Sequence, residues 1–186
     1  MAARTLALVG MAGSGKTICA MHLEALGYYQ FRFGSLVTNE VLRRGLPINP
    51  ENERVVREEF RDQLGMDAMA QLALPKLIEA RETHNSVIID GLYSFSEYKT
   101  LREQLGEDMV VVAIYAERAL RYARLTQRPE RPLTDAEAQM RDWQEIERIE
   151  KGGPIAIADY TLLNNITSED LLNALNNLLE RLGFRP

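Results

Sequence analysis

The sequence predicts an α/β fold, a three-layer doubly wound parallel sheet, in a single domain that spans residues 1–186. Two observations favour this fold. Short unbroken apolar runs, which are typical of strands buried on both faces, alternate with longer stretches of helical spacing. The first apolar run also leads into a glycine-rich segment and then a helical pattern, in the order strand, loop, helix. Because ligands of such sheets bind beyond the carboxyl ends of the strands, we expect the functional site there.

Five segments have the pattern of strands. They are Leu6 to Val9, Tyr28 to Phe33, Ser86 to Asp90, Met109 to Tyr115 and Tyr160 to Leu163. The third and fourth segments are continuous apolar runs, so we expect them to be central strands covered on both faces. The second segment alternates aromatic with polar residues, which also predicts a strand.

Helical spacing fills the segments between these strands. The predicted helices cover residues 18–26, 36–45, 50–81 with an interruption near residue 65, 134–150 and 168–182. Asn49 and Pro50 have the form of an N-cap followed by proline at the first helical position. Thr134 and Glu137 have the spacing of a capping box, which predicts that a helix begins there.

Composition and charge exclude several classes of function. No apolar run approaches the roughly 20 residues that span a bilayer, and no targeting peptide is recognisable, so we expect no membrane partner. A net charge of −5 disfavours nucleic acid as a partner. Cys19 is the lone cysteine, and His22 and His84 are the only histidines, so neither a disulfide nor a histidine–cysteine metal cluster is expected. These features favour a cytoplasmic protein, and they leave the oligomeric state open.

Residues 10–17, called the P-loop below, satisfy the pattern G-x-x-x-x-G-K-[ST] between a predicted strand and a predicted helix. Glycines allow the backbone to wrap closely around a phosphate, and loop amides at a helix N-terminus favour an anion. The lysine reaches the β- and γ-phosphates of a nucleotide, and the threonine hydroxyl can ligate magnesium. The candidate nucleotide-binding residues are Gly10, Ala12, Gly13, Ser14, Gly15, Lys16 and Thr17. ATP and Mg²⁺ are therefore the expected cofactors.

Asp90 ends an apolar strand and precedes Gly91, which places a carboxylate near the P-loop. From there Asp90 could orient magnesium directly or through water, so Thr17 and Asp90 are the candidate metal ligands. The alternative is a strand-end aspartate that caps the segment after it.

Four arginines, at intervals of three, three and four residues, would share one face of a helix. They are Arg118, Arg121, Arg124 and Arg128. Because guanidinium groups neutralise charge on a moving phosphoryl group, we expect a phosphate-clamping lid with catalytic roles for Arg121, Arg124 and Arg128, beside Lys16 and Asp90. The alternative is a solvated helix face paired with nearby glutamates.

With the P-loop, Asp90-Gly91 and the arginines in this order, the chain resembles the nucleoside monophosphate kinase group, especially dephospho-coenzyme A kinase and related small archaeal P-loop kinases. Residues 158–164 are similar to the A-D-x-x-x-x-N stretch of that group, whose following loop lies beside the adenine. The resemblance implies that Asn164 binds nucleotide. It also implies a lid at about residues 125–137 and a helical substrate region at about residues 35–80.

The sequence departs from that group on the acceptor side. Residues 34–38 lack the aspartate and arginine that often follow the second strand, and Leu92 and Tyr93 stand where an arginine often follows Asp-Gly. Other side chains could replace each of these missing groups, and the spacing does not select among them. The lost positive charge could come from Arg32, Arg43, Arg57 or Arg61, and a lost base from Glu40, Glu58 or Glu59.

These features favour ATP- and magnesium-dependent phosphoryl transfer to a small-molecule acceptor. A nucleoside monophosphate or similar nucleotide is the expected acceptor, because its anionic oxygen needs no base. The alternatives are phosphorylation of a hydroxyl, as in dephospho-coenzyme A, a nucleotide hydrolase or switch, and a non-catalytic nucleotide-binding module. A guanine-reading N-K-x-D motif is absent from the sequence, which disfavours a switch.

Overall fold

The computed structural model describes residues 4–186. The strands within them are β1 (Arg4–Val9), β2 (Tyr29–Arg32), β3 (Ser86–Asp90), β4 (Met109–Tyr115) and β5 (Tyr160–Leu163). Neighbouring strands pair in parallel in the order β2-β3-β1-β4-β5. The predicted parallel sheet is therefore confirmed.

Helices connect the strands and cover the sheet. Those within the described residues are α1 (Lys16–Ala25), α2 (Gly34–Arg43), α3 (Pro50–Leu64), α4 (Ala68–Thr83), α5 (Phe95–Leu105), α6 (Arg118–Thr126), α7 (Asp135–Glu147), α8 (Gly152–Ala156) and α9 (Ser168–Leu182). None of these helices combines the length and the apolar character needed to cross a membrane.

The two faces of the sheet carry separate hydrophobic cores, because successive side chains of a strand point to opposite faces. Ala7 and Val9 of β1 pack with residues of α2 to α5 on one face. Leu6 and Leu8 pack with residues of α1 and α9 on the other. Burial of each leucine contributes about 1.5–3 kcal/mol to the free energy of unfolding. Helices thus cover both faces of the sheet, and together with the sheet they form the three layers that the sequence predicts.

The strand order brings the candidate residues to one edge of the sheet. β1 lies between β3 and β4, with Leu8 opposite Asp90 and Val9 opposite Ala113. Because all these strands run in the same direction, the P-loop after β1 and the residues after Asp90 leave the sheet side by side.

Most predicted elements are confirmed, and their caps explain where they begin. Asn49 accepts a hydrogen bond from the Asn52 amide at the start of α3, and Thr134 forms the predicted capping box of α7. The sequence prediction did not include α5, although its capping box, formed by Ser94 and Glu97, has the same spacing signal. The helix predicted to run through residue 150 ends instead at Glu147.

Candidate functional site

The P-loop has a backbone that only glycine adopts without strain at three positions. Gly10, Gly13 and Gly15 have φ values of 147°, 78° and 109°. A Cβ atom on Gly13 would lie 2.8 Å from the carbonyl oxygen of Arg121, and one on Gly15 would collide with the Asn164 side chain. The α1 helix begins at Lys16, so the loop ends at a helix N-terminus, where unpaired amides favour an anion.

Lys16 points back along the P-loop. Its ammonium donates hydrogen bonds to the carbonyl oxygens of Gly10 and, at 3.1 Å, of Met11. Burial and, next, repulsion from Lys151 lower the pKa of Lys16 to about 7, while Glu145 and Asp90 act in the opposite direction. A phosphate group at the loop would stabilise the charged form and raise this pKa.

The residues of the loop fit a phosphate and a magnesium ion. The Ser14 hydroxyl is buried and has no hydrogen-bond partner within the described chain, which leaves it for a ligand oxygen. Thr17, one residue into α1, is exposed. Among residues 4–186 no group of three or more histidine, cysteine, aspartate or glutamate side chains could hold a metal on its own.

Asp90 ends β3, the strand that lies next to β1 in the sheet. Its Oδ2 lies 4.0 Å from the Arg32 Nε atom. Burial raises the pKa of Asp90, and the charges of Arg32 and Lys16 oppose that rise. Lys16 and Asp90 each favour the charged form of the other, as opposite charges at one edge of the sheet do.

The arginine spacing led us to expect Arg121 on an exposed helix face, but the structure buries this residue. Only 7% of the residue is exposed, and its guanidinium binds the Asp142 carboxylate with N–O distances of 3.0 and 2.6 Å. It also donates to the carbonyl oxygen of Ala12, at 3.0 Å. Its predicted catalytic role remains a prediction, and these contacts favour a structural role under the P-loop.

The other two arginines predicted to have catalytic roles differ from one another. Arg124 donates from Nη2 to the backbone oxygen of Asn164 at 2.8 Å, and its Nη1 is buried with no partner in the described chain. The prediction that Arg128 shares a helix face with the other arginines is wrong, because α6 ends at Thr126 and Arg128 lies exposed beyond it. Pro129 limits the continuation of the helix, because proline disfavours a helical conformation in the residue before it.

Asn164 lies directly against the P-loop. Its side-chain amide donates to the carbonyl oxygen of Ser14 at 2.8 Å, and its backbone amide donates to Tyr115 at 2.7 Å. Only 2% of the residue is exposed. The structure thus brings Asn164 and the P-loop together, whereas the neighbouring adenine remains a prediction.

Sequence reasoning missed a buried lysine close to the P-loop. Lys151 is 3% exposed, forms a 2.6 Å ion pair with Glu145, and lies 5.0 Å from the centre of the Tyr93 ring. Its charge is the second largest influence on the pKa of Lys16. A lone lysine after a helix carries no periodic signal, so only the fold could place it here.

The carboxylates considered as a replacement base are all held by arginines. Glu40 binds Arg43 and Arg44, with closest N–O distances of 2.6 and 2.8 Å. Hydrogen bonds from these two arginines lower the pKa of Glu40 to about 2. Two more ion pairs of 2.6 Å hold the other candidates, Glu59 with Arg44 and Glu58 with Arg54.

Similar sequences show the family to which the chain belongs. Residues 9–149 match the AAA domain family. A UPF0200 protein of Thermococcus sibiricus is 33% identical over 183 residues, which cover 97% of this chain and 96% of the relative. A UPF0200 protein of Thermococcus kodakarensis is 34% identical over 178 residues, which cover 94% and 96%.

Solved structures share the fold. TT1252 from Thermus thermophilus superposes with a TM-score of 0.66 at 21% identity, over 98% of this chain and 99% of the other. Shikimate kinase from Acinetobacter baumannii, in complex with shikimate, gives 0.59 at 21% identity, over 97% and 94%. A gluconokinase from Sinorhizobium meliloti gives 0.55 at 16% identity, over 97% and 96%.

The sequence matches show that the chain belongs to the AAA domain family of P-loop NTPases and is a member of the UPF0200 proteins.

Proposed function

We propose that the protein is an ATP- and magnesium-dependent phosphotransferase that acts on a small molecule. One observation carries the proposal: β1 and β3 pair in parallel with Leu8 opposite Asp90, so the complete P-loop with Lys16 and the strand-end carboxylate leave the sheet at the same edge. This is the arrangement that phosphoryl transfer needs, since it depends on positioning and charge stabilisation more than on covalent chemistry.

Each residue of the edge has a role in this proposal. The loop amides, the Ser14 hydroxyl and Lys16 bind the nucleotide phosphates, and the Thr17 hydroxyl and Asp90 hold magnesium directly or through water. Magnesium, when bound, neutralises charge on the phosphate oxygens. Asn164 holds the P-loop in place through its hydrogen bond to the Ser14 carbonyl oxygen.

In this proposal the acceptor binds beside α2 and α3, within the substrate region of about residues 35–80. Its oxygen forms a bond to the γ-phosphorus while the bond from that phosphorus to the bridging oxygen breaks and ADP leaves. Arg124 and Arg128, at the start of a lid of about residues 125–137, add positive charge as the phosphoryl group moves. The kinase names of two structures with the same fold support this class of reaction, although they do not identify the acceptor.

A nucleoside monophosphate is our first candidate acceptor. Its phosphate oxygen is already anionic, so it needs no base, and Glu40, Glu58 and Glu59 are each engaged in ion pairs. A hydroxyl acceptor is the second candidate, and the position of Asp90 at the end of β3 is the observation in its favour. In that case Asp90 accepts the hydroxyl proton instead of holding magnesium.

Product analysis by mass spectrometry tests the proposal. The protein is incubated with ATP, magnesium and each of a set of acceptors: nucleoside monophosphates, dephospho-coenzyme A, shikimate and gluconate. We expect a nucleoside diphosphate from at least one monophosphate, and no product with Lys16→Ala. The control Lys76→Ala, which changes an exposed lysine of α4, should behave as wild type.

The other outcomes separate the alternatives. Phosphorylation of a hydroxyl acceptor alone would replace the first candidate with the second. Release of ADP and inorganic phosphate with every acceptor would indicate a hydrolase. Nucleotide binding without turnover of any compound would indicate a non-catalytic module.

A further inference from the structure

The arginines of β2, α2 and α3 divide into two groups. Four of them form ion pairs with N–O distances of 2.6 to 2.8 Å: Arg32 with Glu24, Arg43 and Arg44 with Glu40, and Arg54 with Glu51 and Glu58. The other two, Arg57 and Arg61, form no ion pair or hydrogen bond with any residue in the described range 4–186. The structure thus selects among candidates that the sequence leaves equal.

The two unpaired arginines lie one turn apart on α3, so their side chains are neighbours on its surface. Both are half-buried, whereas the side chain of Arg54, one turn earlier, is 51% exposed. The Nε atom of Arg61 is buried and lacks a hydrogen-bond partner in the described chain. A half-buried guanidinium with an unsatisfied donor costs free energy that a bound anion would recover.

Two hydrogen-bonded connections direct this part of α3 towards the loop that follows Asp90. The Ser94 hydroxyl donates to the carbonyl oxygen of Met66, at 3.0 Å, just beyond the end of α3. The amide and the hydroxyl of Ser96 both donate to one oxygen of Glu150, at 2.9 and 2.8 Å, beside Lys151. The end of α3, the loop before α5 and the turn before α8 are therefore held together.

Electrostatic coupling agrees with this placement. Burial lowers the pKa of Arg61, and Glu97, Arg57 and Glu150 are among the charges that influence it. Burial and, next, the charge of Asp90 raise the pKa of Tyr93, whereas Arg57 lowers it, so both charges act on the same tyrosine. Arginine remains charged under such a shift, because its unperturbed pKa is far above neutrality.

We propose that Arg57 and Arg61 together bind an anionic group of the phosphoryl acceptor, either a phosphate or a carboxylate. The proposal rests on the proposed function, because it names the acceptor class of that site. Two guanidinium forks at a half-buried position match the planar geometry of a carboxylate and the oxygens of a phosphate. They supply the positive charge that Leu92 and Tyr93 do not.

A structural role for Arg61 makes a different prediction. Glu97 binds the amides of Tyr93 and Ser94 through one oxygen, while its other oxygen is buried without a partner in the described chain. If Arg61 only balanced the charge of Glu97, its removal would lower the free energy of unfolding and leave anion binding to Arg57 intact.

Calorimetric titration of inorganic phosphate and, separately, of acetate tests the proposal at constant ionic strength. The P-loop is first saturated with magnesium and ADP, so that it does not compete for the probe. The proteins compared are wild type, Arg57→Gln, Arg61→Gln and the matched control Arg54→Gln from the same helix. We expect saturable binding to wild type and the control, and binding weaker by about tenfold or more in either of the other variants.

Each outcome decides the proposal. Preferential binding of phosphate or of acetate identifies which acceptor group the pair recognises. No saturable binding to wild type, or equal binding to all four proteins, overturns the proposal. Circular dichroism shows whether Arg61→Gln unfolds more easily than wild type. If it does, the test depends on Arg57→Gln and on Arg61→Lys, because the lysine keeps the positive charge.

Failure of the proposed function is measured separately. If the protein does not bind ADP or ATP with magnesium, the proposed function fails. Phosphate and acetate are then titrated into Lys16→Ala, with and without Arg57→Gln, and the loss of binding still reports on the arginines.

Discussion

The side-chain amide of Asn164 donates a hydrogen bond of 2.8 Å to the carbonyl oxygen of Ser14, across 150 residues of sequence. The backbone oxygen of Asn164 in turn accepts a hydrogen bond from Arg124, at 2.8 Å. One buried asparagine therefore joins the P-loop to the end of β5 and to α6.

Asn164→Ala should lower the free energy of unfolding by about 1–3 kcal/mol, because it leaves the buried Ser14 oxygen without its donor. It should also weaken ATP binding, since the loop loses a support. Urea unfolding and ATP titration measure the two effects. The control Asn177→Ala, at an exposed position of α9, should change stability by a few tenths of a kcal/mol at most. Equal stability of both variants would contradict the prediction.

Lys16→Ala should abolish turnover and weaken ATP binding, because it removes the charge that the loop directs at the phosphates. The pKa of about 7 adds a dependence on pH. At about pH 8 most Lys16 is uncharged before binding, and the phosphates raise its pKa, so binding takes up a proton. ATP affinity should therefore fall as pH rises above about 7.

Calorimetry in two buffers with different protonation enthalpies measures that proton uptake. Wild type should take up more protons than Lys16→Ala at the same pH. Identical proton uptake by the two proteins would show that Lys16 does not titrate on binding.

Arg121→Ala should lower the free energy of unfolding by about 3–5 kcal/mol, because it leaves the Asp142 carboxylate buried without its partner. The double variant Arg121→Met with Asp142→Leu should recover most of that loss, since both charges are removed. Urea unfolding measures both. A stable Arg121→Ala protein with reduced turnover would instead assign Arg121 to catalysis.

Arg124→Ala and Arg128→Ala should lower kcat by more than they raise KM for ATP, if these arginines act on the transition state. Steady-state kinetics with the acceptor found by product analysis measures both constants. Arg118→Ala, at an exposed position of the same segment, is the control. If neither constant changes in either variant, the lid role is wrong.

Gly10→Ala and Gly34→Ala should have opposite effects on stability. A Cβ atom on Gly10 would collide with the carbonyl oxygen of Ile114, and its φ of 147° disfavours any side chain. Gly34, the first residue of α2, has open space within 4 Å. We expect Gly10→Ala to destabilise by more than about 1 kcal/mol and Gly34→Ala to stabilise by about 0.4–1 kcal/mol, as measured by urea unfolding.

Much of the fold follows from local sequence. The apolar runs that form β3 and β4 lie at their predicted residues, because a strand covered on both faces must be continuously apolar. The P-loop is also local, since eight consecutive residues contain both the glycines and the lysine that the motif requires. The acidic strand end at Asp90 follows from the same reasoning.

Side-chain partners do not follow from local sequence. The spacing of the arginines correctly predicts a helix, but it does not indicate that Arg121 turns inward to Asp142 or that Arg128 lies beyond the helix end. Likewise, no pattern distinguishes Arg57 and Arg61 from the arginines of α2 that form ion pairs.

The sequence by itself determined the strands, the P-loop and the strand-end carboxylate, because each depends on residues adjacent in the chain. Only the tertiary structure decided which charges are paired, which are buried and which are left for a ligand. The contact of Lys151 with the Tyr93 ring and the hydrogen bond from Ser96 to Glu150 join segments that are distant in sequence and meet only when the chain folds. Electrostatic energies vary with such distances and with burial, which residue spacing alone does not specify.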